Sequence, residues 1–258
     1  MQRRTFLQIA TALAVMASSV GRALAATRLP TGLVYSDLYL RHMLDIRHPE
    51  SPRRLETLMA LFRQQVWFEQ LEQIQPYPDP GAALASIHTR DHIESIKKHY
   101  PQSHTVALAA AGGAIAAVDA VMAGDIRNAF CASRPPGHHA LNTGREEGFC
   151  FYNSIAIAAR HLQSAHELER ILIVDWDYHH GNGTEAAFYD DPGVLFFSTH
   201  DINAYPGTGH SGDTGSGAGK GYTINVPLGC GATDADIIAA FRDRLLPAAT
   251  DFKPEFIL

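Results

Sequence analysis

The chain has 258 residues, of which 46% are hydrophobic, and its formal net charge at pH 7 is −6. This length is enough for one domain with a sizeable core. The negative balance argues against nucleic acid as a partner, and it favours a cationic substrate without identifying one.

The N-terminal residues have the pattern of an export signal. The pair Arg3-Arg4 precedes an apolar run, Ile9–Val20, and Ala23-Leu24-Ala25 offers a small-x-small cleavage site. The arginine pair indicates the twin-arginine route, and the apolar run is too short for a comfortable membrane span. We therefore predict a signal peptide over residues 1–25, a mature domain over 26–258 and a periplasmic location without a stable membrane span. The competing interpretations are a misassigned start and an amphipathic N-terminal helix.

The mature region alternates between helical and strand patterns, which predicts an α/β fold. Helices are expected over 53–65, 105–122, 154–166, 184–189 and 234–246, and strands over 126–132, 171–175, 194–199, 222–227 and from residue 255 onward. Strands that alternate with helices favour a mostly parallel sheet covered on both faces. We expect a single domain.

The segment Asp175-Trp176-Asp177-Tyr178-His179-His180-Gly181-Asn182-Gly183 carries the densest group of polar side chains. It follows a predicted buried strand, and ligands in open α/β sheets bind beyond the carboxyl ends of the strands. If the segment stays extended, Asp177 and His179 project to the same side. An oxygen and a nitrogen donor suit zinc. The alternative is a polar loop that contains one core histidine.

A second candidate loop, Arg134-Pro135-Pro136-Gly137-His138-His139-Ala140, follows the strand predicted over 126–132. Prolines stiffen the loop and would hold the imidazoles in fixed places. His138 and His139 are candidate general acid–base groups because histidine titrates near neutrality. The alternative is a surface loop with incidental histidines.

Several motifs in register resemble the histone deacetylase superfamily, with the closest likeness to its class II-like branch of bacterial deacetylases and acetylpolyamine amidohydrolases. The matching segments are Gly137-His138-His139, Gly148-Phe149-Cys150-Phe151-Tyr152-Asn153, residues 175–184 and Tyr205-Pro206-Gly207-Thr208-Gly209, with 48–55 upstream. The resemblance implies an arginase/deacetylase-like three-layer α/β fold with a mostly parallel central sheet. It also implies a zinc-dependent amidohydrolase that removes an acetyl or acyl group from an N-acylated amine, such as acetyl-lysine or an acetylpolyamine.

The resemblance assigns catalytic roles to four side chains. His139 is expected to act as general base and then acid, with His138 as its electrostatic partner. Asp175 would orient His138, and Asn182 would hold His139.

The resemblance also assigns metal and substrate residues. Asp177 and His179 would be two of three zinc ligands, and Asp175 and Ser198 would contribute to a structural potassium site. The substrate channel would be lined by Gly148, Phe149 and Tyr205, whose aromatic faces suit the alkyl stem of a small acylated amine or an acyl-lysine peptide. The sequence does not indicate an oligomeric state.

The chain departs from the family pattern near its end. The third zinc ligand, an aspartate in a Gly-Phe-Asp-like motif, and the tyrosine that binds the oxyanion would both follow Leu258. We therefore expect the fold to be incomplete at the C-terminus and this chain to be inactive or poorly folded. A catalytically inactive relative that binds acyl amines is the alternative. An arginase-type ureohydrolase is less favoured, because Gly181 stands where its denser cluster would need a ligand.

Overall fold

The computed structural model describes residues 29–42 and 47–258. The signal peptide predicted over residues 1–25 lies outside the described residues, so it stays a prediction. The strands are β1 (Thr31–Val34), β2 (Glu72–Ile74), β3 (Asn128–Cys131), β4 (Ile171–Asp175), β5 (Val194–Asp201), β6 (Thr223–Leu228) and β7 (Phe256–Ile257).

The helices alternate with these strands, as the sequence predicts. They are α1 (Pro52–Phe62), α2 (Ala82–Ala85), α3 (Arg90–His99), α4 (Pro101–Met122), α5 (Ser154–Ala165), α6 (Asn182–Phe188), α7 (Asp234–Ala240) and α8 (Leu246–Phe252). Short 3₁₀ helices cover Asp37–Arg41, Phe68–Gln70 and Gly217–Gly219, and a π-helical segment, Phe241–Leu245, joins α7 to α8.

Every strand pairing in the described part of the chain is parallel, which confirms the predicted fold class. The strands form a three-stranded sheet in the order β2-β1-β3 and a four-stranded sheet in the order β6-β5-β4-β7. In the second sheet Asp175 at the end of β4 lies opposite Ser198 of β5. The register of β4 and β5 therefore brings Asp175 and Ser198 together.

Helix α4 packs against both sheets. Its Val106 lies in one buried cluster with Leu33 of β1, and its Val118 lies in another with Ile173 of β4. Small residues permit this close packing, since a Cβ added to Gly112 would lie 2.0 Å from the carbonyl oxygen of Tyr77. In the described part of the chain, α4 is the one helix long and apolar enough to cross a membrane. However, 67% of its apolar 18-residue stretch is buried inside the protein.

Asn153 is the N-cap of α5, which begins at Ser154. Its Oδ1 accepts the backbone N–H of Ala156 at 3.0 Å, and its Nδ2 donates to Oγ1 of Thr184 in α6 at 3.0 Å. Its own backbone N–H donates to Nε2 of His88 at 2.9 Å. The side chain that caps α5 therefore also fixes α6, the helix that follows the segment from Asp175 to Gly183.

The predicted boundaries differ from the structure in several places. The strand expected over 126–132 is shorter, the helix expected over 184–189 begins at Asn182, and the helix expected over 234–246 continues through a π-helical segment to Phe252. β1, β2, α2 and α3 were not predicted. β1, β2 and α2 have three or four residues each, so tertiary packing decides their structure. α3 did have local signals, since it is amphipathic and the hydroxyl of Thr89 accepts the backbone N–H of His92 at its start.

Buried His88 should make stability fall in acid. Burial, with a smaller effect of His92, lowers the pKa of His88 to about 3 from an unfolded value near 6.5. Between these values the unfolded chain binds the extra proton and the folded chain does not. The free energy of unfolding should therefore fall by up to about 1.4 kcal/mol per pH unit, from pH 6.5 down to about 3, on account of His88. Urea unfolding at a series of pH values measures this slope.

The variant His88→Gln removes the titrating group and should show a shallower pH dependence than the parent. The exposed His99, substituted in the same way, is the matched control and should leave the slope unchanged. Equal slopes for the parent and His88→Gln would contradict the assignment.

Candidate active site

The loop after β3 and the segment after β4 are joined through their backbones. The carbonyl oxygen of His138 accepts N–H groups from Gly183 at 2.9 Å and from Thr184 at 3.1 Å, both in the first turn of α6. Gly183 has to lack a side chain, because a Cβ there would lie 2.7 Å from the same carbonyl oxygen. The two histidines of one loop are thus fixed relative to the polar residues of the other.

His138 is paired with Asp175. Its Nδ1 lies 2.9 Å from Oδ2 of Asp175, and the side chains are 18% and 11% exposed. The carboxylate accepts, so Nδ1 carries the hydrogen. Burial alone would lower the pKa of His138, but the hydrogen bond and the charges of Asp175 and Asp177 outweigh burial and raise it. This environment favours the protonated form of His138.

His139 is paired with Asn182 and has the opposite electrostatic environment. Its Nδ1 lies 2.8 Å from Oδ1 of Asn182, which accepts and leaves Nε2 as the basic nitrogen. Burial, followed by the neighbouring His138, lowers the pKa of His139 to about 4. The ring lies 4.9 Å from the ring of Tyr205 and 5.8 Å from that of His179, between centroids. The neutral imidazole of His139 therefore faces the rings of Tyr205 and His179.

Asp177 and His179 converge, although not through an extended chain. Residues 176–180 leave the strand, and Oδ1 of Asp177 accepts the backbone N–H of His179 at 2.8 Å in a turn. The same oxygen lies 3.2 Å from Nδ1 of His179. Two ligand atoms of one tetrahedral zinc ion are about 3.3 Å apart, so this oxygen–nitrogen pair fits the metal. The side chains are 51% and 39% exposed, which leaves room for further ligands.

Two of the three predicted channel residues, Gly148 and Tyr205, lie against His139 on another side. Gly148 and Phe149 have φ angles of 51° and 72°. A Cβ on Gly148 would lie 2.3 Å from Cδ2 of His139 and 2.8 Å from Cε1 of Tyr205, so only glycine fits between these rings. Phe149 instead contacts His48 edge-on, with 4.3 Å between ring centroids.

A cavity of about 380 Å³ lies beside His138, Asp175 and Asp177, and its wall also includes Ile173 and Trp176. None of the three predicted channel residues lines it. The cavity therefore borders Asp177 as well as the His138–Asp175 pair.

Two further buried histidines support the site, and the sequence analysis did not select them. Nδ1 of His180 lies 2.8 Å from Oγ1 of Thr208, and Nε2 of His200 lies 2.9 Å from the carbonyl oxygen of Gly209. The other ring nitrogen of His200, Nδ1, lies 2.9 Å from Oγ of Ser198. The glycine-rich loop from Gly207 to Gly221 was the available signal, because glycine permits this close approach to both rings.

The geometry can be compared with that of known proteins. A model of the histone deacetylase domain matches residues 48–258, so the chain belongs to the histone deacetylase family. A structure of the HDA15 HD domain has a TM-score of 0.81 and 34% sequence identity, and the match covers 88% of this chain and 72% of that one.

Two relatives illustrate the range of the family. A probable deacetylase of Archaeoglobus fulgidus is 37% identical over 242 residues, which are 88% of this chain and 67% of that protein. Polyamine deacetylase HDAC10 of Rattus norvegicus is 37% identical over 235 residues, 81% of this chain and 40% of that protein. The chain thus spans about two thirds or less of the length of these curated relatives.

Close packing at Gly181 gives a test of the His138–Asp175 pair. The backbone of Gly181 (φ −76°) accepts alanine, but a Cβ would lie 2.1 Å from Oδ2 of Asp175. The variant Gly181→Ala should displace the carboxylate of Asp175. The pKa of His138 should then fall, because the hydrogen bond to Asp175 that raises this pKa is lost. An NMR titration of the imidazole resonances measures this shift.

The matched control is Gly212→Ala, since a Cβ on Gly212 meets nothing within 4 Å. The control should titrate like the parent. An unchanged His138 titration in Gly181→Ala would show that the pair does not set the pKa.

Proposed function

We propose that this chain carries the catalytic residues of a zinc-dependent amidohydrolase that removes an acetyl or other acyl group from an N-acylated amine. The observation that carries the proposal is the pair of adjacent histidines with opposite environments beside Asp177 and His179. His138 is held against a carboxylate and His139 against an amide oxygen. Membership of the histone deacetylase family supports the same reaction.

Asp177 and His179 would hold the zinc ion, through the carboxylate Oδ1 and the imidazole Nδ1 that already converge. When bound, zinc supplies Lewis acidity, which polarises an amide carbonyl and acidifies water. Catalytic zinc sites use three protein ligands. The described residues would therefore supply two of the three protein ligands that a catalytic zinc ion needs.

His139 would move the protons of the reaction. Its neutral Nε2 takes a proton from water as the water oxygen bonds to the amide carbon. The same nitrogen returns that proton to the departing amine nitrogen as the carbon–nitrogen bond breaks. The products are a carboxylic acid and an amine, so atoms and protons balance. Asn182 keeps the hydrogen on Nδ1 and so holds Nε2 ready as the base.

His138 would stay protonated and stabilise negative charge next to His139. Its ring centroid lies 4.0 Å from that of His139, and Asp175 favours its charged form. A fixed positive charge beside the base stabilises the tetrahedral oxyanion more than the neutral amide. This difference lowers the reaction barrier. Asp175 acts through His138, and Gly181 leaves the room that this contact needs.

The substrate we propose is an acylated alkylamine, with an acetylpolyamine or acetyl-lysine as the main candidates. Phe149 and Tyr205 would contact the alkyl stem. The carboxylates of Glu146 and Glu147 lie beside them, the first bound to the backbone N–H of Phe149 and the second 3.5 Å from the hydroxyl of Tyr205. Two acidic groups beside aromatic side chains favour a cationic amine.

We further propose a structural potassium ion near the end of β4. The strand register places Asp175 opposite Ser198, and backbone oxygens of the following turn are close in sequence. A carboxylate, a hydroxyl and backbone carbonyl oxygens are ligands that hard cations take. The hydroxyl of Ser198 also contacts His200, so an ion here would connect the acid–base residues with the supporting histidines.

Substitution of His139 separates hydrolysis from binding. Where the parent chain turns over an acetylated polyamine or acetyl-lysine peptide, His139→Gln should lower that rate about 10²–10⁴-fold, because the general base is lost. Binding of the unhydrolysed substrate, measured by calorimetry, should persist. The exposed His99→Gln is the control and should leave both quantities unchanged. If the parent protein bound these substrates without any turnover, the alternative of an acyl-amine binding module would be favoured.

Export is proposed on the sequence pattern of residues 1–25. Replacing Arg3 and Arg4 by lysine should retain the protein in the cytoplasm, because the twin-arginine route reads the arginine pair rather than charge alone. Cell fractionation and immunoblotting measure the distribution. An equal periplasmic fraction for both versions would contradict this route.

A further inference from the structure

A second group of metal-type ligands lies outside the candidate active site. Asp119 is in the last turn of α4, His161 is on α5, and His166 follows directly after α5. Their ligand atoms all lie within 4.8 Å of one another. We name these three residues the Asp119–His161–His166 cluster.

The ligand atoms of the cluster converge on one point. Nε2 of His161 and Nε2 of His166 each lie 2.7 Å from Oδ1 of Asp119. The two rings are nearly perpendicular, at 79°, with centroids 5.5 Å apart. Two imidazole nitrogens and one carboxylate oxygen are a ligand set for borderline divalent cations. A small outward movement of the three side chains would admit an ion with bonds of about 2.0–2.1 Å.

The surroundings of the cluster also suit an ion. The hydroxyl of Tyr77 donates to the other oxygen of Asp119 at 3.3 Å, which orients the carboxylate in the way that outer hydrogen bonds orient metal ligands. The side chains are 20–28% exposed, so water has access to the remaining coordination positions. Asp119 stands near the carboxyl end of a helix, where the helix dipole favours a positive charge.

We propose that the cluster binds a divalent transition-metal ion, with Zn²⁺ as the reference ion, as a structural site separate from Asp177 and His179. The ion would connect the end of α4 to the end of α5. Helix α5 is 12 residues long, or about 18 Å, and its other end begins at Asn153 beside α6. The site is therefore too remote to take part in acyl transfer, and it would stabilise the packing of the two helices.

Calorimetric titration with Zn²⁺ tests the proposal. The tag-free variant Asp177→Asn/His179→Gln serves as the background, because it removes the ligands proposed for the active site. One zinc ion per chain should still bind. Adding His161→Gln or His166→Gln should weaken this binding by at least about tenfold. Adding His99→Gln instead, as the matched control, should leave the affinity unchanged.

Thermal unfolding gives a second measurement. Saturating Zn²⁺ should raise the Tm of the background variant, because the ion binds the folded chain. The rise should disappear with Asp119→Asn, which preserves the shape of the side chain and so serves where a histidine variant fails to fold. Absence of zinc binding in the background variant would overturn the proposal. So would affinity that is unaffected by all three cluster substitutions, and the cluster would then be a hydrogen-bonded contact between helices.

Discussion

The candidate site depends on one backbone contact, in which the carbonyl oxygen of His138 accepts two N–H groups from the first turn of α6. These groups have no partner inside the helix, so the contact satisfies them while it ties the loop after β3 to the segment after β4. The side chains of His138 and His139 leave this fixed point toward Asp175 and Asn182. His138 and His139 are thus held in place against partners that lie far away along the chain, without a covalent link.

The adjacent residues His138 and His139 have pKa values shifted in opposite directions. A carboxylate partner raises the pKa of His138, whereas burial and the neighbouring His138 lower that of His139. Two identical side chains placed in one apolar environment would compete for the same proton. Different hydrogen-bond acceptors, Asp175 and Asn182, remove this competition, because only the carboxylate compensates for the buried positive charge.

The sequence predicted much of the fold, because it is encoded locally, and the side chains it selected at His138, His139 and Asp177 lie in loops that the structure brings together. Buried strands followed by polar residues identified the loops that carry His138 and Asp177, and motif order identified the family. The contacts that sequence missed are long-range or irregular. Asp177 meets His179 in a turn instead of a strand, and Asp119 lies 42 and 47 residues from the histidines it contacts, a separation that no local pattern shows. Among the described residues, the grouping of the strands into two sheets likewise depends on long-range pairing.

That division has a consequence for how the native chain opens. Among the described residues no strand pairing joins the three-stranded to the four-stranded sheet, and α4 packs against both. Backbone amides in the two sheets are therefore protected from hydrogen exchange by different hydrogen-bond ladders, which can open as separate cooperative units. The segment from Asp175 to Gly183 belongs to the unit built on β4 and β5. A transient opening of the β2-β1-β3 unit would leave Asp175, Asp177 and His179 on their native scaffold, and the backbone contacts of His138 to α6 would hold its loop to that scaffold.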